Sequence, residues 1–344
     1  MHMADALLSP IVGGTLWAAT AALTVYASRQ VRERLDDSKI PLMGVLGAFI
    51  FAAQMINFTI PGTGSSGHLG GGLILAILLG PHAAFLVMAS VLTVQALLFA
   101  DGGLLALGAN IFNLAAFPAF VAYPLVYRPL VGRHPTPGRI TFAALVAAIL
   151  GLQLGAFAVV LETVFSGISE LPFSAFVLLM QPIHLGIGIV EGLVTAAVVN
   201  FVWQAQPDLL NPAAPRGGLD KTAMSTILIG LGLAAVVTGG ALSWFASANP
   251  DGLEWAIAAV SGAEDVVHPS GGIHETLGAV QEKTALLPDY GLPSAAPPEP
   301  HAGGAPAWPA VNPGTSLAGL VGGTLTLLIA IAIGWLLQRR GSAG

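Results

Sequence analysis

The first residues of the chain, "MHMADALLSP", place a histidine directly after the terminal residue. In a Met1-His2 terminus, the α-amine, the deprotonated amide nitrogen of His2 and its imidazole nitrogen can bind one metal ion through two fused chelate rings. Two residues thereby supply three in-plane nitrogens, and one further imidazole completes a square-planar set. Nitrogen ligands in this geometry favour Ni(II) or Cu(II), and a tetragonal variant accepts Co(II).

A second histidine, His68, lies in the loop "NFTIPGTGSSGHLGGG" and is the candidate for the remaining imidazole. Asp5 and Ser66 are candidates for supporting the ligands without binding the ion themselves, and Asp5 in particular for orienting one of the histidines. Taken alone, His2 would be a solvated terminal side chain and His68 an ordinary loop histidine. Their combination favours metal ligation.

Another pair of ionisable residues, His184 and Glu191, lies in "QPIHLGIGIVEGLVTA". Seven residues separate them, so they share one face of a predicted helix. An ionisable side chain within the membrane costs at least about 2.5–3.5 kcal/mol and usually points into the helix bundle. A structural polar network or contact with a partner subunit is the favoured interpretation, and direct metal ligation is the alternative. For Gln95, Asn110 and Asn113, interhelical hydrogen bonds are likewise the favoured interpretation, and a place on the path of the metal is the alternative.

Other motifs in the chain fail as catalytic or nucleotide sites. The stretch "GTGSSG" matches G-x-G-x-x-G, but membrane spans flank it and no acidic residue lies between Asp37 and Asp101. Its glycines are expected instead to permit a tight loop near the metal. "HETLG" lacks the second histidine of a zincin. Since a Walker motif, G-x-S-x-G and paired carboxylates are also absent, we expect no enzyme activity and no ATP hydrolysis by this chain. His268, His274 and His301 are expected to be solvated loop histidines.

The composition indicates the kind of protein that positions these residues. Of the 344 residues, 55% are hydrophobic and only 9% are charged, whereas soluble domains contain about 25% charged residues. An all-α polytopic membrane protein is therefore predicted. The absence of cysteine excludes disulfides and thiolate ligands. The net charge of −6, with the few basic residues scattered over loops, argues against a nucleic-acid partner.

The basic residues decide which apolar stretches cross the membrane. Eleven of the twelve Lys and Arg lie in four loops, and these loops share one side only if the short stretch 69–80 crosses as well. The positive-inside rule then places the N-terminus outside and the C-terminus in the cytoplasm, with His2 and His68 on the outer face. The nine predicted spans are 10–28, 41–60, 69–80, 83–100, 104–127, 140–162, 173–203, 222–246 and 315–338. For the short, Gly-rich stretch 69–80 a re-entrant segment is the alternative.

The chain is predicted to have two units. Residues 1–203 form a seven-span metal-binding unit, residues 204–221 a Pro-rich cytoplasmic linker, and residues 222–344 a two-span accessory unit with a large outer segment, 247–314. Because the outer segment is rich in Pro, Gly and Ala, its composition predicts an extended or loosely folded excursion.

Four motifs in order, "MHMADALLSP", "PGTGSSGHLGGG", "ADGGLLALGANIFNLA" and "HLGIGIVEGLVTA", resemble the CbiM/NikM family. This family comprises the substrate-binding membrane components, or S-components, of energy-coupling-factor nickel/cobalt transporters. The resemblance covers about residues 1–203. The stretches "NPDGLEWAI" and "LLPDYGLP" resemble the small NikN-type accessory component with its PDGLE segment. The opening departs from the commonest family pattern, since Ala6 stands where that pattern has Gly.

The resemblance implies a function, a ligand set and partners. It implies that Met1, His2 and His68 bind the ion, and that the chain presents it to a membrane coupling (T) subunit and two cytoplasmic ATPase subunits in the bacterial cytoplasmic (inner) membrane. Ni²⁺ is the expected substrate and Co²⁺ the alternative, with no resident cofactor. A self-sufficient metal channel or secondary carrier is the second hypothesis, and it would require inverted repeats and midplane charges.

Overall fold

The structure is a computed structural model that describes residues 2–34, 36–169, 171–210, 220–262, 271–292 and 308–341. Eleven helices and one two-stranded hairpin make up its regular elements in these residues, so the predicted all-α membrane fold is confirmed. The first seven helices are α1 (Pro10–Arg34), α2 (Ile40–Gln54), α3 (Gly72–Leu79), α4 (Pro81–Phe99), α5 (Leu107–Val131), α6 (Pro137–Ser166) and α7 (Phe173–Ala205). Four further helices belong to the accessory unit: α8 (Lys221–Gly240), α9 (Gly252–Ser261), α10 (Gly272–Thr284) and α11 (Pro313–Gly341).

Seven of the described helices are long and apolar enough to cross a membrane: α1, α4, α5, α6, α7, α8 and α11. Helix α2 has 15 residues and α3 has 8, so at about 1.5 Å per residue both are shorter than the hydrocarbon layer of about 30 Å. The predicted spans 41–60 and 69–80 are therefore wrong in length. The reason is that non-helical backbone, rather than helix, follows α2 and precedes α3.

Helix α3 nevertheless completes a passage through the bundle. It begins after Gly71, next to the loop of His68, and is buried throughout. The next helix, α4, has His82 as its second residue. The ring of His82 lies 5.3 Å from that of Tyr26, in the C-terminal half of α1. Residues 66–80 thus run from one end of the molecule to the other. Non-helical backbone at membrane depth is tolerated where protein covers it, as here.

Small residues bring the long helices α6 and α7 together. A Cβ at Gly188 would lie 2.9 Å from the Cα of Ile149, and one at Gly192 would lie 2.7 Å from the Cα of Leu145. Such close approach is the usual role of glycine between membrane helices. Because Glu191 lies beside Gly192 on this buried face, its carboxylate points into the protein and is 2% exposed.

The accessory unit packs on α2, and it also contacts the end of the bundle that carries the loop of His68. Helices α8 and α11 meet at Gly239 and Gly319, and Gly322 lies against the ring of Phe51 in α2. Between these helices, α9 and α10 fold against the first unit, so the expectation of an extended outer segment is wrong for its described residues. Residues 263–270 and 293–307 of that segment, and 211–219 of the linker, lie outside the described residues.

Candidate metal centre

The terminal segment is buried, and hydrogen bonds to its main chain hold it in place. The N–H of Met3 donates to Oδ1 of Asn110 at 2.8 Å. The Met3 carbonyl accepts from Nδ2 of the same asparagine at 3.2 Å and from the N–H of Gly103 at 2.9 Å. The side chain of Met3 has no exposed surface. His2 is therefore one residue away from a fixed point, while Met1 lies outside the described residues.

The carboxylate that contacts His2 is Asp101. His2 Nδ1 lies 3.0 Å from Oδ1 of Asp101. Asp5, the residue expected to orient a histidine, instead accepts the N–H of Ala106 at 2.9 Å, and burial raises the pKa of Asp5. Asp5 thus anchors the terminal segment to the loop after α4, and Asp101 takes the orienting position.

Asp101 is in turn held by the accessory unit. The hydroxyl of Tyr290 donates to Oδ2 of Asp101. Burial alone would raise the pKa of Asp101, but the His2 ring and the Tyr290 hydroxyl hold it well below its usual range. Asp289 and Tyr290 have φ of 49° and 57°, values uncommon for residues other than glycine. The backbone of this turn is thus constrained where it delivers the hydroxyl.

The loop of His68 is a short hairpin. Strand β1 (Phe58–Thr59) pairs antiparallel with β2 (Ser66–Gly67). Gly62 and Gly64 in the connecting turn have φ of 78° and 77°, which other residues rarely adopt. The expectation that glycines permit a tight loop here is confirmed, and His68 directly follows the hairpin.

The environment of His68 determines the protonation of its ring. Its Nδ1–H donates to the carbonyl of Leu69 at 3.0 Å, because a carbonyl can only accept. In the neutral ring this leaves Nε2 as the nitrogen with the lone pair. Burial lowers the pKa of His68 to about 3, so the ring is neutral at pH 7. A neutral imidazole is the form that binds metal ions.

The two histidines meet at this point. The ring centroids of His2 and His68 are 4.9 Å apart and their planes are inclined by 8°. His2 Nε2 is buried and has no hydrogen-bond partner among the described residues. Two imidazoles from distant parts of the chain are therefore brought into direct contact.

Glu191 anchors the loop that carries His68. Its two carboxylate oxygens accept the N–H groups of Gly70 at 2.8 Å and Gly71 at 3.1 Å. These amides lead into α3, whose N-terminal end favours negative charge. A Cβ at Gly70 would lie only 3.0 Å from the carboxylate, so a larger residue at this position would crowd Glu191. The predicted polar network is thus a contact between α7 and the backbone of the loop.

Comparison with known proteins assigns this arrangement to a family. The family described as the cobalt uptake substrate-specific transmembrane region, CbiM, matches residues 2–209, and the PDGLE domain matches residues 225–339. The chain belongs to the CbiM family. It carries a PDGLE segment fused to the CbiM region, as the resemblance of its motifs indicates.

Relatives with the same fused arrangement align over most of the chain. A putative fused nickel transport protein NikMN of Archaeoglobus fulgidus is 33% identical over 97% of this chain and 98% of its own length. The fused nickel transport protein NikMN of Rhodobacter capsulatus is 32% identical over 84% of this chain and 88% of its own length. A crystal structure described as a truncated transition metal transporter has a TM-score of 0.53 and 31% identity, covering 59% of this chain and 99% of that one. These relatives are metal transport proteins, and the chain is a multi-pass membrane protein of that kind.

The PDGLE segment approaches the CbiM region at Ser66. The Ser66 hydroxyl donates to the carbonyl of Asn249 at 2.8 Å, and its N–H donates to the carbonyl of Pro250 at 2.7 Å. Asp251 then begins α9 with a capping box completed by Glu254. Ser66 therefore supports the site by binding the PDGLE segment and not by contacting a histidine.

His184 lies beneath this contact. Its Nδ1–H donates to the carbonyl of Met180 at 2.8 Å, and its side chain lines a small cavity together with His68 and Asp251. A Cβ at Gly252 would lie 3.4 Å from the His184 ring and 2.6 Å from Ile183. The glycine of the PDGLE sequence is thus required for the segment to sit this close to α7.

Sequence reasoning missed the roles of three residues around the terminal segment. Asp101 contacts His2, Asn110 bonds to the main chain of Met3, although an interhelical hydrogen bond was expected of it, and Tyr290 donates to Asp101. The first two lie in the quoted motif "ADGGLLALGANIFNLA", but no spacing rule links them to residues 2 and 3. His274 was expected to be solvated, yet its Nε2–H donates to the carbonyl of Leu8 at 2.9 Å. His268 and His301 lie outside the described residues.

Proposed function

We propose that this chain is the metal-recognition subunit of an ATP-driven energy-coupling-factor importer for Ni²⁺, with Co²⁺ as the alternative substrate. The buried contact between His2 and His68 is the observation that carries this proposal. Nickel is favoured because the fused relatives that align over most of the chain are named as nickel transport proteins.

The ion is held by the α-amine of Met1, the amide and imidazole nitrogens of His2, and Nε2 of His68. Only Nδ1 of His2 closes a six-membered ring with its own amide nitrogen, and that atom contacts Asp101. A half-turn about the Cβ–Cγ bond moves Nδ1 from Asp101 to the ion. The resulting four-nitrogen square suits Ni(II).

The partners are a membrane coupling subunit and two cytoplasmic ATPase subunits in the bacterial inner membrane. Helix α1 begins beside the site, so its basic last turn, with Arg32 and Arg34, lies at the opposite end. Such a cluster supports an inner orientation of that end and an outer orientation of the site. The PDGLE segment assists loading or gates the terminal segment, as its contacts with Leu8 and Asp101 support.

The test compares the native terminus with a terminus carrying three extra glycines before Met1, both released from the same cleavable leader. The extension moves the amine three residues further from His2, so that the amine and the imidazole no longer belong to adjacent chelate rings. A single glycine would instead place the histidine third and create a new square-planar set of four nitrogens. The native chain is expected to bind one ion with a square-planar visible spectrum, and the extended chain to bind at least about 100-fold more weakly, a loss of about 2.7 kcal/mol.

Equal binding by the two chains would refute the terminal chelate. The ion that binds more tightly, when Ni²⁺ and Co²⁺ are compared, identifies the substrate. Transport by the chain alone in liposomes, without any ATPase, would support the channel or carrier hypothesis instead.

A further inference from the structure

Two small cavities lie next to each other inside the CbiM region. The first is lined by His68 and His184, and the second by Asn113 and Glu191. Each has room for about one water-sized particle. The residues that line both cavities, and therefore separate them, are Gly70, Leu114 and Leu152.

Each cavity is lined by a residue with a buried polar atom that has no partner among the described residues: His184 Nε2 for the first and Asn113 Oδ1 for the second. Both side chains are 1% exposed. A buried polar atom without a hydrogen bond is unfavourable. Because Nδ1 of His184 donates to Met180, the neutral ring presents a lone pair at Nε2, and the amide oxygen of Asn113 presents another. Lone pairs of this kind are ligands for a cation.

The two cavities follow one another along the direction of α7. His184 and Glu191 are seven residues apart on this helix, which corresponds to about 10 Å along its axis. The first cavity also contacts the metal ligand His68 and the carboxylate-bearing Asp251, and the second contains the carboxylate of Glu191. A divalent cation within the membrane requires such negative charge along its way.

Resting on the proposed function, we propose that these cavities form the first part of the path by which the metal ion moves inward from His2 and His68. His184 Nε2 binds the ion in the first cavity, and Asn113 and Glu191 bind it in the second. Among the described residues no group of three His, Asp or Glu side chains is arranged to hold an ion. The ion is therefore held weakly along the path, as passage requires.

The decisive variant fills the space between the two cavities. Leu152→Trp fills the space that Leu152 shares between them, and Leu150→Trp is the matched control on the same helix, where the side chain is 43% exposed against 6% for Leu152. Each variant replaces the chromosomal copy in the native host, so that the chain works with its own partners. Nickel uptake is measured in these cells, and nickel binding is measured on the purified full chain.

We expect Leu152→Trp to reduce nickel uptake at least about tenfold while its nickel affinity stays that of the wild type, and Leu150→Trp to change neither. Wild-type uptake by Leu152→Trp would overturn the path. A wild-type chain that bound no nickel would overturn the proposed function instead, so the two failures are distinguishable.

A second variant tests the ligand and guards against misfolding of the first. His184→Leu removes Nε2 at similar volume, and His82→Leu is its control outside the cavities. Uptake is expected to fall about tenfold for His184→Leu alone, with binding unchanged. Loss of nickel binding by both Leu152→Trp and His184→Leu would overturn the path, because the cavities would then belong to the outer site.

Discussion

The two histidines of the site are held by different kinds of contact. His2 lies on a terminal segment that is held by side chains. Asn110 bonds to the main chain of Met3, and Asp101 contacts the His2 ring. His68 lies on a loop whose own backbone is gripped, with Glu191 binding two of its amides. We call the contacts of Asn110 and Asp101 with the terminal segment the clasp, and the contact of Glu191 with the loop the anchor. Because they share no residue, each can be removed without the other.

Removing the clasp has the largest expected effect. Asn110→Ala deletes both hydrogen bonds to Met3 and leaves its buried N–H without that partner, at a cost of about 2–3 kcal/mol. Nickel affinity is then expected to fall about 30- to 150-fold, measured by titration of the purified chain. Asn200→Ala is the control, since within the described part of the chain Asn200 bonds to Thr141 and Ala196, near the other end of the bundle. An affinity within about threefold of wild type would show that the terminal segment does not need this clasp.

Removing the anchor is expected to have a smaller effect. In Glu191→Gln one oxygen still accepts an amide, but the new NH₂ group faces the other N–H, at a cost of about 1–2 kcal/mol. Nickel affinity should fall about 5- to 30-fold, with a shift in the visible spectrum as His68 moves. Glu162→Gln is the matched control, because Glu162 is also buried in the membrane but bonds to Asn113. Equal losses in both variants would indicate a general effect of neutralising buried carboxylates.

The smallest effect on affinity is expected from the PDGLE segment, which touches the His68 loop from outside. Gly252→Ala forces a Cβ to within 2.6 Å of Ile183 and should destabilise the packing of α9 by about 1–3 kcal/mol. Hydrogen exchange of α9 should accelerate while nickel affinity changes less than about fivefold. In the control Gly278→Ala the new Cβ meets no atom within 4 Å. Unchanged exchange in Gly252→Ala would mean that α9 is held elsewhere.

The two histidines could be predicted from the sequence as a candidate metal site because their chemistry is local. A histidine after the terminal residue and a histidine in a glycine-rich loop carry their meaning in the residues themselves, and hydropathy indicates the long helices. The supports could not be predicted in this way. Asn110 meets residue 3, and Glu191 meets Gly70 and Gly71, only because the helices pack in one particular arrangement.

The errors on the elements have local causes. The predicted spans 41–60 and 69–80 extend into the loop that joins α2 and α3, because the apolar residues of that loop are as suitable for a strand or a loop as for a span. The outer segment was predicted as extended because its average composition is rich in Pro, Gly and Ala. Its helix α9 nevertheless begins with Asp251 and Glu254 in a capping box, a short-range signal that averaging over 68 residues of sequence conceals.

The contact of Glu191 with Gly70 and Gly71 bears on how metal preference can change. Its partners are main-chain amides, so the frame of the loop is independent of which side chain stands at position 68. The side chain at position 68 can therefore change while the backbone that carries it stays in place. A softer donor can replace the imidazole there without rebuilding the loop, which offers a short evolutionary or engineered route from one transition metal to another.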